Sequence, residues 1–339
     1  VFRLLRSRKS AAVLIAASIA VTSAACAPSN NNANNSAGGE KDVNIIVVSG
    51  PLDDPFFSAL KRGTDDAAKQ LGVTTQYLSP SSSKEGSGPT LARLIRDAIN
   101  KKPDAIVVAN FFPDAENPVI KEAADAGIPV IVHNTGADNW QELGALAYVG
   151  LEAGPVGKEA AKEMGERNVD KVLCVNPVPG NPFLEQACGG LETGMKEQGK
   201  STATITIPYA DSTNPTKVTQ AIEGALKADQ SIGGVFVFGS AVAQNARTAS
   251  DNVGRKITIG TGDVSTQVLK DIQSGSMAFA LDSQPYLQSY YSVQMAAQYV
   301  RYGIAPVGTI LTGPRAITKD NVADVIKVNE ESKGIRGAS

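Results

Sequence analysis

The chain has 339 residues, with 32 Lys and Arg against 34 Asp and Glu and a single His, for a formal net charge of −2. Four of the basic residues, Arg3, Arg6, Arg8 and Lys9, stand in the first ten positions, so the rest balances 28 basic against 34 acidic groups, or −6. A mildly acidic chain with no further block of like charge is a poor match for nucleic acid or anionic lipid, and one His with three scattered Cys leaves no metal-binding cluster.

The basic head leads into an apolar run from Ala11 to Val21 and then Ser23-Ala24-Ala25-Cys26. That is the grammar of a secretory signal over residues 1–25. The run is about half of the ~20 residues that span a bilayer, so it predicts export rather than a permanent span. Cys26 stands where a bacterial lipoprotein signal would place its acylated residue, the segment resembling a lipobox with Ser23 in place of leucine. Acyl chains at ~0.8 kcal/mol per buried CH₂ would hold a folded domain at a membrane. Residues 27–39, APSNNNANNSAGG, carry no charge and no apolar period. The stretch 26–42 therefore reads as a flexible tether. The expected setting is extracytoplasmic, lipid-anchored to a bacterial cell membrane. About 300 residues remain, enough for one large or two medium domains.

From residue 43 short β-branched runs alternate with longer amphipathic stretches. Strands are predicted at 43–50, 73–78, 104–110 and 128–134, separated by helices at 55–72, 89–102 and 116–127. This is the spacing of right-handed parallel crossovers. After a break over 135–150 a second cycle follows. Its helices are predicted at 154–167, 184–199, 214–229, 241–254 and 265–275, its strands at 170–176, 203–209, 233–239, 256–262 and 277–282. A long helix at 285–303 and a late strand at 307–313 come next, and the polar terminal stretch is expected to fray. The pattern is α/β: two doubly wound parallel units in succession, which bind ligands at the carboxyl ends of their strands.

Candidate binding residues are therefore sought at strand ends. The first strand runs into Asp54, Phe56 and Phe57; neighbours on a helix differ by about 100°, so one ring should face the core and the other the crevice. Asn134 ends the fourth strand and can donate and accept at once, as vicinal hydroxyls require. His133 beside it reads as a packed, hydrogen-bonded histidine. Asp263 follows a strand of the second unit, Ser240 follows the Gly239 turn, Asn181 lies in a proline-rich loop, and Asp282 and Gln284 stand at a crossover between the units. Asp and Asn at such places also cap helices and make turns; their recurrence at successive strand ends is the signal. No G-x-S-x-G elbow, G-x-G-x-x-G turn or P-loop lysine occurs, so no catalytic residue, cofactor or metal is assigned. Outside the cytosol Cys174 and Cys188 form either a disulfide closing a loop of about 15 residues, worth ~3 kcal/mol in the loop-entropy account, or two buried thiols.

The segments DDPFFSALKRG, KPDAIVV, AADAGIPVIVHNTG and LTGPRAITKDNV resemble the ribose-binding type of periplasmic solute-binding protein, the receptor of ABC sugar importers. A subgroup with paired cysteines and a D-x-Q-P-Y-L-Q segment like Asp282 to Gln288 is similar again. The resemblance implies the periplasmic binding protein type I fold: two Rossmann-like lobes with parallel sheets joined by a three-segment hinge, crossing near 135–151, 282–285 and 308–312. It places residues 43–150 plus 284–309 in the N-terminal lobe and 151–283 plus 310–330 in the C-terminal lobe. The family's stacking aromatics fall on Phe56 and Phe57, its first polar contact on Asp54, and a further Asp on Asp263, with Gly262 where the family has Phe. Two frequent sugar-binding arginines fall on Thr135 and Ala187, which removes strong bidentate donors. The implied ligand is a small neutral sugar, deoxysugar or polyol, and the implied partner an ABC permease, with a monomeric receptor that makes and breaks no bond. The alternatives are a sensory receptor for chemotaxis or signalling and, further off, a carbohydrate-active enzyme.

Overall fold

The computed structural model describes residues 42–306, 308–332 and 334–336; the expected signal, Cys26 and the tether up to residue 41 lie outside these residues. The first half runs β1 (Asn44–Val48), α1 (Pro55–Leu71), β2 (Thr74–Leu78), α2 (Gly88–Asn100), β3 (Ala105–Ala109), α3 (Pro113–Asp125), β4 (Val130–Asn134) and β5 (Ala147–Gly150). Then follow α4 (Ala153–Glu166), β6 (Lys171–Asn176), α5 (Pro182–Glu197), β7 (Ser201–Thr206), α6 (Pro215–Ala228), β8 (Gly234–Val237) and α7 (Ser240–Val253). The last part is β9 (Thr258–Thr261), α8 (Thr266–Ser274), β10 (Phe279–Asp282), α9 (Pro285–Tyr302), β11 (Gly308–Leu311), β12 (Arg315–Ile317) and α10 (Val322–Glu331).

Two six-stranded sheets result, in the orders β11-β5-β4-β3-β1-β2 and β12-β10-β9-β8-β6-β7. Every pairing is parallel except β10 with β12. Strands such as β3, buried along all five residues, are apolar on both sides because helices cover both faces. In the first sheet Ile45, Val47 and Val107 pack under α9 through Val293 and Ala296, while Ile46 and Val108 pack under α2 and α3 through Ile95 and Ile120. In the second, Val172, Phe236 and Phe279 meet α4 and α5, and Leu173, Val235 and Val237 meet α6, α7 and α8.

Three features depart from the sequence-based expectations. The break over 135–150 contains β5, four residues that are fully buried between β4 and β11; the run is too short to show a period. The terminal stretch does not fray: β12 hydrogen-bonds to β10, and α10 rides on α8 with Ile317 and Val322 in the core. Helix α3 starts at Pro113, three residues early, since Pro is well suited to a first helical turn.

The chain passes between the sheets three times, and the passages are bonded to each other. Thr312 donates its N–H to the Gly150 carbonyl at 3.0 Å and its hydroxyl to the Ser283 carbonyl at 2.8 Å. The Gln284 amide donates to the Thr312 carbonyl. Strand β11 stays paired with β5 through Leu311, so the third passage begins at Thr312.

Cys174 of β6 and Cys188 of α5 are disulfide-bonded, with Cα atoms 5.8 Å apart. The bond ties the second sheet to the helix that opens at Asn181. Replacing both cysteines with alanine should cost about 3 kcal/mol, read as a lower Tm by calorimetry, with ligand affinity retained because neither sulfur lines the interlobe space. An unchanged Tm would mean the bridge contributes nothing to the fold.

Candidate functional site

The carboxyl ends of the two sheets face each other across a cavity of about 460 Å³. Helices α1, α3, α5, α7 and α8 all begin at this edge, so their N–H-rich ends surround it. From the first sheet the lining includes Asp54, Phe56, Phe57, Phe111, Phe112 and Asn134; from the second, Asn181, Phe183, Phe238, Ser240 and Asp263.

Asp54 is the N-cap of α1, accepting the Phe56 N–H at 2.9 Å. Burial pushes its carboxyl upward, the Phe56 N–H opposes this, and Asp53 adds repulsion. Asp53 is occupied elsewhere, accepting the N–H and hydroxyl of Ser83 at 2.7–3.0 Å. Phe56 and Phe57 both line the cavity and meet edge to face at 5.1 Å. The expected division of one ring to the core does not occur: the first turn of α1 overhangs the end of the sheet, and the core begins at Ala59 and Leu60. The Phe57 ring lies against Gly50, where a Cβ would stand 2.3 Å from it, and edge-on to Phe111 at 5.7 Å.

Phe111 and Phe112 come from the end of β3. The fully buried Glu116 holds their backbone N–H groups at 3.0 and 3.2 Å, and burial, resisted by those two donors, pushes its carboxyl up to about 8. Asn134 sits at φ 66°, a left-handed conformation that Asn tolerates better than most residues. Its amide donates to Gln288 at 3.1 Å, and Tyr148 donates to its carbonyl at 2.6 Å.

In the second lobe Asn181 caps α5, accepting the Phe183 N–H at 3.0 Å. Ser240 opens α7 beside Gly239, whose N–H donates to Asp263 at 2.5 Å. Asp263 is pushed up to about 6, first by burial and then by the charge of Asp54 in the facing lobe, the Gly239 N–H working against both and Asp282 adding a smaller repulsion. Two carboxylates from opposite lobes thus close on one cavity.

Two of the residues sought at strand ends stand elsewhere. Asp282 is fully buried behind the cavity, accepting the Gln284 N–H at 2.8 Å and pairing with Arg336. Gln284 spends its side chain on Thr312. Of this passage only Ser283 reaches the lining, together with Leu281 just before. His133 is buried as expected, but neither ring nitrogen has a partner, and burial drives its pKa down to about 3. It packs as a neutral ring. Sequence reasoning missed Phe111, Phe112, Phe183 and Phe238; the first pair sits in Asn-Phe-Phe-Pro-Asp after β3, the Phe pair preceding the helix-opening Pro113, whereas in Asp-Pro-Phe-Phe after β1 it follows Pro55.

No Lys, Arg or His is among the lining residues, whereas Asp53, Asp54 and Asp263 are. Among the described residues no group of three or more His, Cys, Asp or Glu could hold a metal, and no helix is long and apolar enough to cross a membrane. The arrangement can pair hydroxyls through carboxylates, amides and Ser240, and cover apolar ring faces with phenyl groups.

The chain is similar to solved and curated proteins over most of its length. A carbohydrate transporter from Acidothermus cellulolyticus, solved in complex with myo-inositol, superposes with a TM-score of 0.79 at 32% identity, covering 87% of this chain and 100% of that one. The D-apiose import binding protein of Actinobacillus succinogenes is 26% identical over 275 residues, 76% of this chain and 82% of its own. The ribose import binding protein of Bacillus subtilis is 23% identical over 251 residues, 73% and 78% of the two chains. These relatives are binding proteins of transport systems rather than enzymes. The periplasmic binding protein domain matches residues 45–304, and with two parallel lobes meeting at a shared cavity, the chain belongs to that family, in its sugar-binding type I form.

Proposed function

We propose that the chain is the solute receptor of an ABC importer, which captures a small neutral ring polyol or sugar between its lobes and hands it unaltered to a membrane permease. The carrying observation is the lining itself: carboxylates from both lobes, two asparagines, six phenyl rings and no cation. A carboxylate accepts from hydroxyls and repels anions, and phenyl faces suit the C–H faces of a ring. The myo-inositol bound by the Acidothermus relative is such a molecule, and a cyclitol is the class we place first. Anchoring through Cys26, a monomeric state and the permease contact belong to this reading.

The test is a thermal-shift and calorimetric panel of myo-inositol, pentoses, hexoses and acyclic polyols, with inositol phosphates and uronic acids as charged counterparts. A ligand at 100 times its Kd stabilises the native state by about 2.7 kcal/mol, so a neutral ring polyol should raise the Tm clearly. Charged counterparts should not. Binding of the charged set alone would overturn the reading.

A further inference from the structure

Every charged residue that lines the cavity is acidic. Asp53 is engaged with Ser83, so the pair left facing the ligand space is Asp54 from one lobe and Asp263 from the other. Each accepts one backbone N–H, from Phe56 and Gly239 respectively, and these donors do not offset what burial does to either carboxyl. The other ionisable groups bearing on the pair are acids too. Asp53 and Tyr77 stand near Asp54, and Asp282, itself paired with Arg336, acts on Asp263 from behind the cavity. Two cations neighbour lining residues in the chain without joining them. Lys84, next to Ser83, lines a second recess with Asn214 and Pro215, and Arg315, next to Pro314, bears on Asp282. Buried carboxylates are ordinarily matched by a cation; for Asp54 and Asp263 the lining offers none.

We propose that the ligand class this site prefers is a ring polyol bearing an amine, an aminocyclitol or amino sugar, whose ammonium lies between Asp54 and Asp263. The inference rests on the reading of the cavity as a ring-polyol site and narrows it. An ammonium has three N–H donors where a hydroxyl has one O–H, and its bonds to carboxylates are charge-assisted, about twice as strong as neutral ones. Desolvation usually weakens a buried ion pair. Here the fold has already withdrawn the carboxylates from water, so binding adds only the ligand's own share. A single positive charge also relieves the repulsion between Asp54 and Asp263. The phenyl rings around the pair attract a cation through their faces.

The test is calorimetry near neutral pH on wild type, Asp54→Asn and Asp263→Asn. The probes are scyllo-inositol and 1-amino-1-deoxy-scyllo-inositol, with glucose and glucosamine as a second pair. The six positions of scyllo-inositol are equivalent, so its amine can replace whichever hydroxyl faces the carboxylates. In at least one pair the amine should bind wild type at least about tenfold more tightly than its parent. Either substitution should cut that ratio to about threefold or less, whatever it does to both affinities. A cation favours the ionised forms, so near pH 6, where Asp263 titrates, the amine should release more protons on binding than the parent does. Proton release is read by repeating the titrations in buffers of different ionisation enthalpy. An amine no tighter than its parent in either pair, or a ratio unmoved in both variants, would overturn the inference. Should the variants bind neither member of a pair, the wild-type proton count decides, and equal release would overturn it. Parent binding without an amine advantage sinks this inference and leaves the proposed function standing. No binding of any probe or of myo-inositol sinks both, and an amine bound where its parent is not upholds the inference and corrects the neutral ligand proposed above.

Discussion

An Asp263→Asn variant should lose roughly 10- to 100-fold in affinity for a neutral ring polyol while its ligand-free form melts above wild type. Both effects come from one carboxylate. In the folded chain Asp263 is pushed up to about 6 from 3.8 by burial and by Asp54. A raised acid binds its proton more tightly in the native than in the unfolded state, so the native state is favoured while both are protonated. That advantage is present below about 3.8 and is lost as pH rises through about 6. At neutral pH the wild type therefore carries an ionised group its fold disfavours. At about 1.4 kcal/mol per unit, the neutral amide should return roughly 1–3 kcal/mol. Asn keeps an oxygen to accept the Gly239 N–H, which limits any loss of geometry.

Binding moves the other way. A charged acceptor for a hydroxyl contributes about 1.5–3 kcal/mol, and sites built to pair hydroxyls discriminate by up to ~10⁴ when a partner is missing. Wild-type affinity should itself fall as pH drops through about 6 and the carboxylate protonates. Calorimetry at neutral pH and near the unfolded-state value tests all of this. The Tm difference between variant and wild type should shrink toward the acid end. A variant that binds normally, or one that melts lower at neutral pH, would refute the assignment.

The parts of this molecule legible in sequence are those where local chemistry agrees with tertiary placement. The strands β1, β3, β6 and β8 are apolar runs buried on both faces, and β1, β6 and β8 are each followed by the capping residue or glycine turn that opens the next helix. Asp54 and Asn181 could be found because a cap at a strand end is at once a helix signal and a position at the mouth of the sheet. What stayed hidden depends on distant partners. Strand β5 owes its pairing to β4 on one side and β11, over 150 residues later, on the other. Strand β12 is held by β10. Asp282 looked like its neighbours at strand ends, and only the fold brings Arg336 onto it. The Phe111-Phe112 pair falls between the predicted strand 104–110 and the predicted helix 116–127, and its backbone is held by Glu116 on the next helix.

Gly157→Ala should destabilise the chain severely although alanine is the better helix former. Gly157 lies in α4 where that helix crosses α5, and a Cβ there would stand 2.0 Å from the Ala187 carbonyl oxygen and 2.4 Å from the Leu191 nitrogen. Gly190 on α5 answers it, with a Cβ 2.3 Å from the Gly154 carbonyl oxygen. The two backbones touch, so no side chain can swing aside. Relief requires separating the helices along a buried face that includes Ala160, Ala161, Leu191 and Met195. Ordinary overpacking costs about 1–3 kcal/mol because side chains absorb part of it; here none can, and a loss beyond about 4 kcal/mol is expected, in the range reserved for named core defects. The gain of about 1 kcal/mol from helix propensity cannot offset it. Gly189, one residue before, is the control: it is exposed, with nothing within 4 Å of its Cβ position. Gly189→Ala should therefore stabilise the chain by up to about 1 kcal/mol. Calorimetry on the pair measures the contrast. Because α5 opens at Asn181 and Phe183, any Gly157→Ala protein that does fold should also bind ligand more weakly, and equal melting of the two variants would show that the helices are not in backbone contact.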